Sequence, residues 1–269
     1  MKILTTILRF FLKNWLVILF VVIATFVQSR GNSHGPVVVF LDIGQGDATL
    51  IQQEGFQILV DGGLDDAVLY ELPKYMPTYD RTIEVVVLTH AHDDHLKGLL
   101  MVLENYNVNS IWYSPSCTDT TSYVFLTEKY ADKLTKVDSS TKLLYGDISV
   151  SVVYPVEAKC EKNINNESVI LDVEVNGKRF LLTGDAEKEV EEKISGDIVD
   201  VDILKAGHHC SRTASSEMFL NSVKPEIAIC SVGEGNKFGH PHNETVEMFE
   251  KLNVQYLITY EQGNIVFEL

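Results

Sequence analysis

Short runs of alternating or continuous hydrophobic residues recur from residue 37 onward, and they predict β-strands. The predicted strands cover residues 37–41, 48–52, 57–60, 84–88, 110–113, 148–154, 169–175, 179–182, 202–205, 227–231, 255–259 and 265–268. The dipeptide Asn176-Gly177 falls between two of these strands, and it is typical of a two-residue β-hairpin turn.

Amphipathic stretches with helical spacing separate many of the strands. They predict helices over residues 68–75, 96–104, 186–194, 215–220 and 245–252. Hairpins mixed with strand–helix–strand units favour an α/β fold in which two sheets are sandwiched between helices, over one doubly wound sheet. Residues 116–142 give no clear pattern, and we interpret them as a helical insertion with loop edges.

The N-terminal residues have a different pattern. Lys2, Arg9 and Lys13 precede a nearly uninterrupted apolar run over residues 15–27, which is typical of a signal peptide. Counting back through residues 7–12 makes the run long enough for an uncleaved membrane anchor. We therefore predict a signal peptide or N-terminal membrane anchor at 1–30, a linker at 31–36 and one domain at 37–269. That domain is expected to be exported, either secreted or anchored to the outer face of the cytoplasmic membrane.

Charge limits the partners of this domain. The 269-residue chain has a formal net charge of −16, and residues 31–269 contain 18 basic against 38 acidic residues, a charge of −20. Diffuse repulsion opposes binding of a polyanion by a broad basic surface. A phosphate-bearing substrate would therefore need local positive charge, for which bound metal is the obvious source.

Four cysteines (Cys117, Cys160, Cys210 and Cys230) could form bridges in an exported chain. Their spacing matches no dense disulfide scaffold, so we expect at most one bridge. Cys210 follows two histidines, and three roles stay open for its thiol: metal coordination, disulfide pairing or packing.

The segment Thr89-His90-Ala91-His92-Asp93-Asp94-His95 carries the strongest chemical signal. It follows an apolar strand and precedes a helix, and three imidazoles with two carboxylates would pack poorly in a core. Imidazole nitrogen and carboxylate oxygen are ligands that zinc binds at about 2.0–2.2 Å. We predict a metal site here, and a solvated polar loop is the alternative.

Other polar residues also follow predicted strands. Histidines recur at 208/209 and 240/242, while Asp185 ends an apolar run before a helix. Asp185 could bridge two cations or cap that helix. Asp61, in Asp61-Gly62-Gly63, could orient a ligand imidazole or belong to a plain turn.

The pattern His90-x-His92-x-Asp94-His95 resembles the signature of the metallo-β-lactamase superfamily. Further motifs resemble one branch of it, namely the extracellular hydrolase domain of ComEC-type DNA-uptake proteins and relatives such as the phosphorylcholine esterases of teichoic acid. These motifs are 41-LDIGQGD-47, 59-LVDGG-63, 182-LTGDAE-187, 204-LKAGHHCS-211 and 238-FGHP-241. The resemblance covers nearly all of the chain after residue 37, and it implies an αββα sandwich with a dinuclear metal site at one edge.

The resemblance also implies roles for single residues. His90 and His92 would hold one metal, Asp94 and His95 the other, Asp185 would bridge them, and His208 is favoured over its neighbour His209 to complete the second site. Asp94 and His240 would be catalytic. Substrate would contact His209, Ser211, His240 and His242, and outer support would come from Asp42, Asp47 and Asp61.

Three departures from the family pattern stand out. No further histidine for the first metal occurs between His95 and Asp185, Cys210 replaces the usual glycine, and the polytopic channel of ComEC-type proteins has no counterpart among these residues. The first metal site is therefore expected to be open or weaker.

We expect a hydrolase in which two divalent ions, zinc first and manganese as the alternative, lower the pKa of a bridging water for attack on phosphorus. The first choice is a phosphodiesterase acting on a phosphoester such as single-stranded nucleic acid, a cell-envelope polymer or a phosphocholine-type ester. One alternative is an acyl hydrolase of lactones, thioesters or β-lactams. The other is a secreted metal-dependent binding module without turnover.

Overall fold

A computed structural model of the protein describes residues 35–198 and 200–269. The predicted signal or anchor segment and most of the predicted linker lie outside the described residues, so their assignment stays a prediction. Among the described residues, no helix combines the length and the hydrophobicity needed to cross a lipid bilayer.

The strands form two seven-stranded mixed sheets. The first sheet contains β1 (Val37–Phe40), β2 (Thr49–Gln53), β3 (Phe56–Val60), β4 (Thr82–Leu88), β5 (Asn107–Tyr113), β6 (Leu134–Lys136) and β14 (Ile265–Glu268), in the order β14-β1-β2-β3-β4-β5-β6. The second contains β7 (Lys142–Tyr145), β8 (Ile148–Tyr154), β9 (Ile170–Val175), β10 (Lys178–Leu182), β11 (Ile203–Lys205), β12 (Ile227–Cys230) and β13 (Gln255–Ile258), in the order β13-β12-β11-β10-β9-β8-β7. Every predicted strand is present, although the boundaries shift by up to three residues at β5.

The helices flank the sheets. They are α1 (Ala67–Glu71), α2 (Asp93–Asn105), α3 (Thr121–Lys129), α4 (Lys188–Ile194), α5 (Glu217–Val223), α6 (Asn243–Lys251) and α7 (Thr259–Gln262). The five predicted helices are present, and the first continues beyond α1 as a 3-10 turn at Leu72–Lys74. The segment without a clear pattern contains α3 and β6, and β7 begins at its last residue. These elements are too short for a periodicity to stand out.

Three buried apolar layers hold the elements together. Phe40 and Phe180 lie fully buried in the layer between the sheets. Leu96 of α2 packs with the outer face of the first sheet, and Phe219 of α5 packs with the outer face of the second. This αββα sandwich confirms the predicted fold class. Burying side chains of this size stabilises the fold by about 1.5–3 kcal/mol each.

Strand direction determines where the polar loops meet. In the first sheet β3 runs parallel to β4, and in the second β10, β11 and β12 are mutually parallel. The carboxyl ends of parallel strands lie at one edge of a sheet. The loops after these strands contain Asp61, the segment 89–92, Asp185, and the histidine pairs at 208/209 and 240/242.

Two disulfides correct the expectation of at most one. Cys117 pairs with Cys160 and Cys210 pairs with Cys230, with Cα–Cα distances of 5.3 and 5.5 Å. Of the three roles left open for Cys210, the structure selects pairing. Its partner Cys230 ends β12, so this bridge ties the 208–211 loop to the neighbouring strand.

Candidate metal centre

His90, His92, Asp94 and His95 lie together at the junction between β4 and α2. His92 is in extended conformation immediately before the helix, and Asp94 and His95 lie in its first turn. The Nε2 atom of His90 is 3.1 Å from Nδ1 of His92. The sequence prediction that these four side chains share one region is therefore consistent with the geometry.

Asp185 lies at the centre of the cluster. Its Oδ2 atom is 3.8 Å from Nε2 of His90, 3.3 Å from Nε2 of His95 and 3.4 Å from Nε2 of His209. Two groups of potential metal ligands therefore include the same carboxylate: one contains His90, His92 and Asp185, and the other contains Asp47, His95, His209 and Asp185. We call the first group the first donor set. We call His95, His209 and Asp185 the second donor set, because Asp47 lies behind His209, at its Nδ1 atom. Asp94 adjoins the second set, since its Oδ2 is 3.5 Å from Nε2 of His209.

These distances suit divalent cations. Donor atoms of one tetrahedral zinc ion, each about 2.0–2.1 Å from the metal, are about 3.3–3.4 Å apart. The buried atoms Asp185 Oδ1, His95 Nε2 and His209 Nε2 also have no hydrogen-bond partner among the described residues. Because burying unpaired polar atoms is costly, a bound cation accounts for them better than the protein alone does. The cluster suits metal ions, and the donors do not identify the metal.

Asp61 orients His95. One oxygen of Asp61 lies 2.7 Å from Nδ1 of His95, and the other accepts a 2.9 Å hydrogen bond from the backbone of Thr89. This contact leaves Nε2 of His95 facing Asp185. Gly62 and Gly98 allow the two backbone segments to approach each other closely, because a Cβ at either position would collide with the backbone of the opposing segment.

Asp47 and Lys205 support the second donor set. Nδ1 of His209 donates to the carbonyl of Ser231 at 3.0 Å and lies 3.2 Å from Oδ1 of Asp47. The buried ammonium of Lys205 pairs with Asp47 and donates to the carbonyl of Gly184 at 3.0 Å. Lys205 is a residue that the sequence reasoning missed. Its signal was a lysine within an otherwise apolar strand, where an unpaired charge would be too costly.

The structure brings His209, and not the favoured His208, into the second donor set. His209 is buried and reaches Asp185 and Asp94, whereas Nδ1 of the more exposed His208 contacts Glu187 at 3.2 Å. Nε2 of His208 remains 4.0 Å from Asp185. The cause is local: His208, His209 and Cys210 all have left-handed backbones, with φ of 48°, 53° and 59°. Such a run costs free energy in non-glycine residues and is typical of functional sites.

The charges of the second donor set depend on one another. Burial lowers the pKa of His95, but the carboxylates of Asp185 and Asp61 outweigh it and raise that pKa well above its usual value. Burial also lowers the pKa of His209, but the carboxylates of Asp185 and Asp47 outweigh burial and raise that pKa well above its usual value. Burial raises the pKa of Asp185, but His209 and His95 hold it well below its usual value. Metal binding would have to compete with protons here.

The first donor set has a different environment. Burial and the neighbouring His95 hold the pKa of His90 well below its usual value, and burial also lowers the pKa of half-buried His92. Nδ1 of His90 contacts the hydroxyls of Thr89 at 3.1 Å and Ser168 at 3.4 Å. Ser168 also accepts from the backbone of Asp185 at 3.0 Å, a role that sequence reasoning did not foresee.

His240 lies beside the cluster, with its ring centroid 6.1 Å from His209 and 5.5 Å from His208. Burial, with a smaller contribution from His209, lowers the pKa of His240 to about 4. The imidazole is therefore neutral near pH 7. It can donate one hydrogen bond without carrying a charge.

Of three further predicted residues, His242 and Ser211 lie around the cluster. Nδ1 of His242 accepts from the backbone of Arg212 at 3.1 Å, and the His242 ring lies 4.7 Å from that of His240. Ser211 is buried, and its hydroxyl contacts Thr213. The backbone of Asp42 binds Asn264, and among the described contacts none joins Asp42 to the histidines. Its predicted supporting role therefore stays a prediction.

Comparison with known proteins gives consistent results. Residues 41–129 match the sequence model of the metallo-beta-lactamase superfamily. The chain is 26% identical over 276 residues to ComE operon protein 3 of Bacillus subtilis, a match that covers 90% of this chain and 34% of that protein. It is 30% identical over 216 residues to recombination protein 2 of Haemophilus influenzae, covering 78% of this chain and 26% of the relative. The chain thus spans about a third or less of these relatives.

A solved structure shares the fold. The metallo-beta-lactamase fold protein YhfI from Bacillus subtilis superimposes with a TM-score of 0.57 at 15% sequence identity, covering 87% of this chain and all of YhfI. Together with the motifs and the donor sets, these matches confirm what the sequence indicated. The chain is therefore similar to the metallo-β-lactamase superfamily over residues 41–129, and the curated proteins that it resembles over most of its own length include ComE operon protein 3 and recombination protein 2.

Proposed function

We propose that this protein is a metal-dependent phosphodiesterase. The observation that carries the proposal is the position of Asp185, whose single Oδ2 atom lies within 3.8 Å of imidazole nitrogens from both donor sets. When bound, two divalent ions supply Lewis-acid activation of water and neutralise charge on a phosphoryl group. The negative charge of the domain makes this local source of positive charge necessary for any phosphate ester.

Asp94 and His240, which both adjoin His209, would serve the reaction in different ways. Burial raises the pKa of Asp94, but the neighbouring His209 and His95 outweigh burial and lower it, so the carboxylate is ionised at neutral pH. It can accept a hydrogen bond from the attacking water and orient that water. Neutral His240 can donate a hydrogen bond to a phosphoryl or leaving-group oxygen, where negative charge develops in the transition state.

The proposed site of action is outside the cytoplasm. Export is supported by the N-terminal pattern and by the pairing of all four cysteines, because disulfides persist mainly in oxidising compartments. The candidate substrates are single-stranded nucleic acid, a cell-envelope polymer or a phosphocholine-type ester.

Hydrolysis of bis(p-nitrophenyl) phosphate tests the proposal, with zinc-loaded and manganese-loaded protein assayed in parallel. We expect turnover by wild type and a loss of at least about 100-fold in Asp94→Asn. Asp132→Asn is a matched control, because Asp132 is exposed in the turn after α3. Metal-loaded protein that cleaves lactones or thioesters but no diester would contradict the proposal in favour of an acyl hydrolase. Metal binding without any turnover would favour the binding module.

A further inference from the structure

Lys205 places a cation inside the second sheet. It is the last residue of β11, which lies between the parallel strands β10 and β12, and it is only 2% exposed. The two residues before it, Ile203 and Leu204, belong to the buried apolar layers on the two faces of that sheet. Because removing a charge from water is costly, a lysine at this position must be compensated by its contacts.

The ammonium of Lys205 is surrounded by oxygen atoms. It pairs with Oδ2 of Asp47, donates to the carbonyl of Gly184 at 3.0 Å and lies 3.8 Å from Oδ1 of Asp185. Carboxylate and carbonyl oxygens are the ligands that hard cations take in proteins. An ammonium group also resembles a potassium ion in charge and size. The side chain of Lys205 therefore fills a position whose surroundings would suit a monovalent cation.

The same ammonium divides the oxygens of two carboxylates. In Asp185, Oδ1 faces Lys205, whereas Oδ2 lies 3.3 Å from Nε2 of His95 and 3.4 Å from Nε2 of His209. In Asp47, Oδ2 pairs with Lys205, whereas Oδ1 lies 3.2 Å from Nδ1 of His209. One lysine thus contacts both carboxylates in orientations that leave a single oxygen of each beside the histidines.

The charge of Lys205 matters for the centre as a whole. Four carboxylates lie in the second donor set or adjoin it, namely Asp47, Asp61, Asp94 and Asp185. In the described ion pairs of these four, Lys205 is the only lysine or arginine, and the other partners are histidines. A histidine must give up its proton to bind metal, so its charge is exchanged for that of the ion. The cation of Lys205 is instead a fixed part of the chain.

We propose that Lys205 is a resident monovalent cation of the metal centre. Its ammonium fixes Asp47 behind His209 and holds Oδ1 of Asp185 away from the histidines, so that Oδ2 alone faces both donor sets. Lys205 is a positioning residue, because it acts through Asp47 and Asp185. The inference deepens the proposed function and rests on its metal centre, to which it adds one permanent cation beside the exchangeable ions.

Replacing the lysine tests this role through metal binding. Lys205→Ala leaves room for a small cation, whereas Lys205→Met fills the same space with an uncharged chain. In both variants we expect the second donor set to bind zinc about 10- to 100-fold more weakly, the range for a lost outer partner, as measured by chelator competition. Loss of a positive charge beside the metal would by itself strengthen zinc binding, so weaker binding reports the loss of positioning.

Chemical rescue separates the cation from the side chain. At equal ionic strength, methylammonium chloride and potassium chloride should each restore most of the lost zinc affinity to Lys205→Ala. Tetramethylammonium chloride should restore none, because its cation is too large for the space. Lys205→Met should respond to none of these salts, and it keeps the role testable if the alanine variant does not fold.

The absorption spectrum of the cobalt-substituted protein reports the coordination itself. If Oδ1 of Asp185 is released, the carboxylate can bind an ion through both oxygens. The visible cobalt bands of Lys205→Met should then become weaker than those of wild type, as expected for a higher coordination number. Lys178→Met is a matched control, because Lys178 pairs with Asp202 at 2.9 Å on the same sheet, with its side chain 46% exposed.

The outcomes distinguish this role from the proposed function. Wild-type zinc affinity and cobalt bands in Lys205→Met would overturn the role, as would tighter zinc binding. Failure of both small cations to restore folded Lys205→Ala would also overturn it. Wild-type protein that binds zinc but cleaves no diester would contradict the phosphodiesterase function and leave the role of Lys205 standing.

Discussion

The two donor sets share Asp185 but differ in how they are supported. In the second set, Asp61 contacts the outer nitrogen of His95 and Asp47 that of His209, and all of these side chains are buried. In the first set, the outer nitrogen of His90 contacts only hydroxyls within the part of the chain that the structure describes, and His92 is half-buried. Carboxylate partners orient a ligand imidazole and raise its basicity. We therefore expect the second set to bind metal more tightly than the first.

Removing the shared carboxylate should have the largest effect. In Asp185→Asn, both sets lose their common anionic donor, and we expect the affinity for both ions to fall by at least about 100-fold, beyond the range seen for outer partners. Diester hydrolysis should be lost as well. Metal analysis after dialysis gives the readout, and circular dichroism checks that the variant is folded. If one ion stayed bound with unchanged affinity, Asp185 would not be shared.

Changing the outer partners should separate the two sets. Asp61→Asn removes the carboxylate behind His95 and should weaken the tighter binding step by about 10- to 100-fold. Ser168→Ala removes neutral contacts to His90 and to the backbone of Asp185, and it should weaken the other step by less than about tenfold. Competition with a chromophoric chelator resolves both steps. A larger loss of metal affinity in Ser168→Ala than in Asp61→Asn would show that the ranking of the two sets by metal affinity is wrong.

The disulfides offer a smaller test of the second set. The free energy that a disulfide contributes increases with the length of the loop that it closes. The double variant Cys210→Gly/Cys230→Ala should therefore lose about 3 kcal/mol of unfolding free energy, and Cys117→Ala/Cys160→Ala should lose about 4 kcal/mol. Only Cys210→Gly/Cys230→Ala should also weaken the tighter metal-binding step. Cys210 adjoins His209, and Cys230 adjoins Ser231, whose carbonyl accepts the hydrogen bond from His209. Denaturant unfolding and metal analysis measure the two effects. Equal metal binding in both variants would remove any positioning role for the bridge.

Much of the fold and the outline of the site could be predicted from the sequence. Long apolar strands such as β4 and β8 have a strong periodicity, and His90, His92 and His95 are close in sequence, so their meeting required no tertiary information. Asp185 could be placed at the strand edge because it follows a buried strand, whereas its bridging role was implied by the family resemblance, since the pattern alone left a helix cap open. These are cases in which local pattern and tertiary structure agree.

The remaining features depend on tertiary geometry. The choice between His208 and His209 is decided by three left-handed residues, a conformation that hydrophobic periodicity does not reveal. The pairing of Cys210 with Cys230 requires the parallel arrangement of β11 and β12. Ser168 reaches His90 across 78 positions of sequence, and nothing in its neighbourhood resembles a metal site.

The number of ions bound per chain tests the central claim most directly. Metal-free protein would be titrated with zinc in the presence of a competing chelator, and both stoichiometry and affinity would be read from the same curve. We predict two ions per chain, bound in two steps of unequal affinity. The reason is that the two donor sets share one carboxylate but differ in the residues that contact the outer nitrogens of their histidines. Binding of a single ion, or of none by folded protein, would contradict the account of a dinuclear centre built around Asp185.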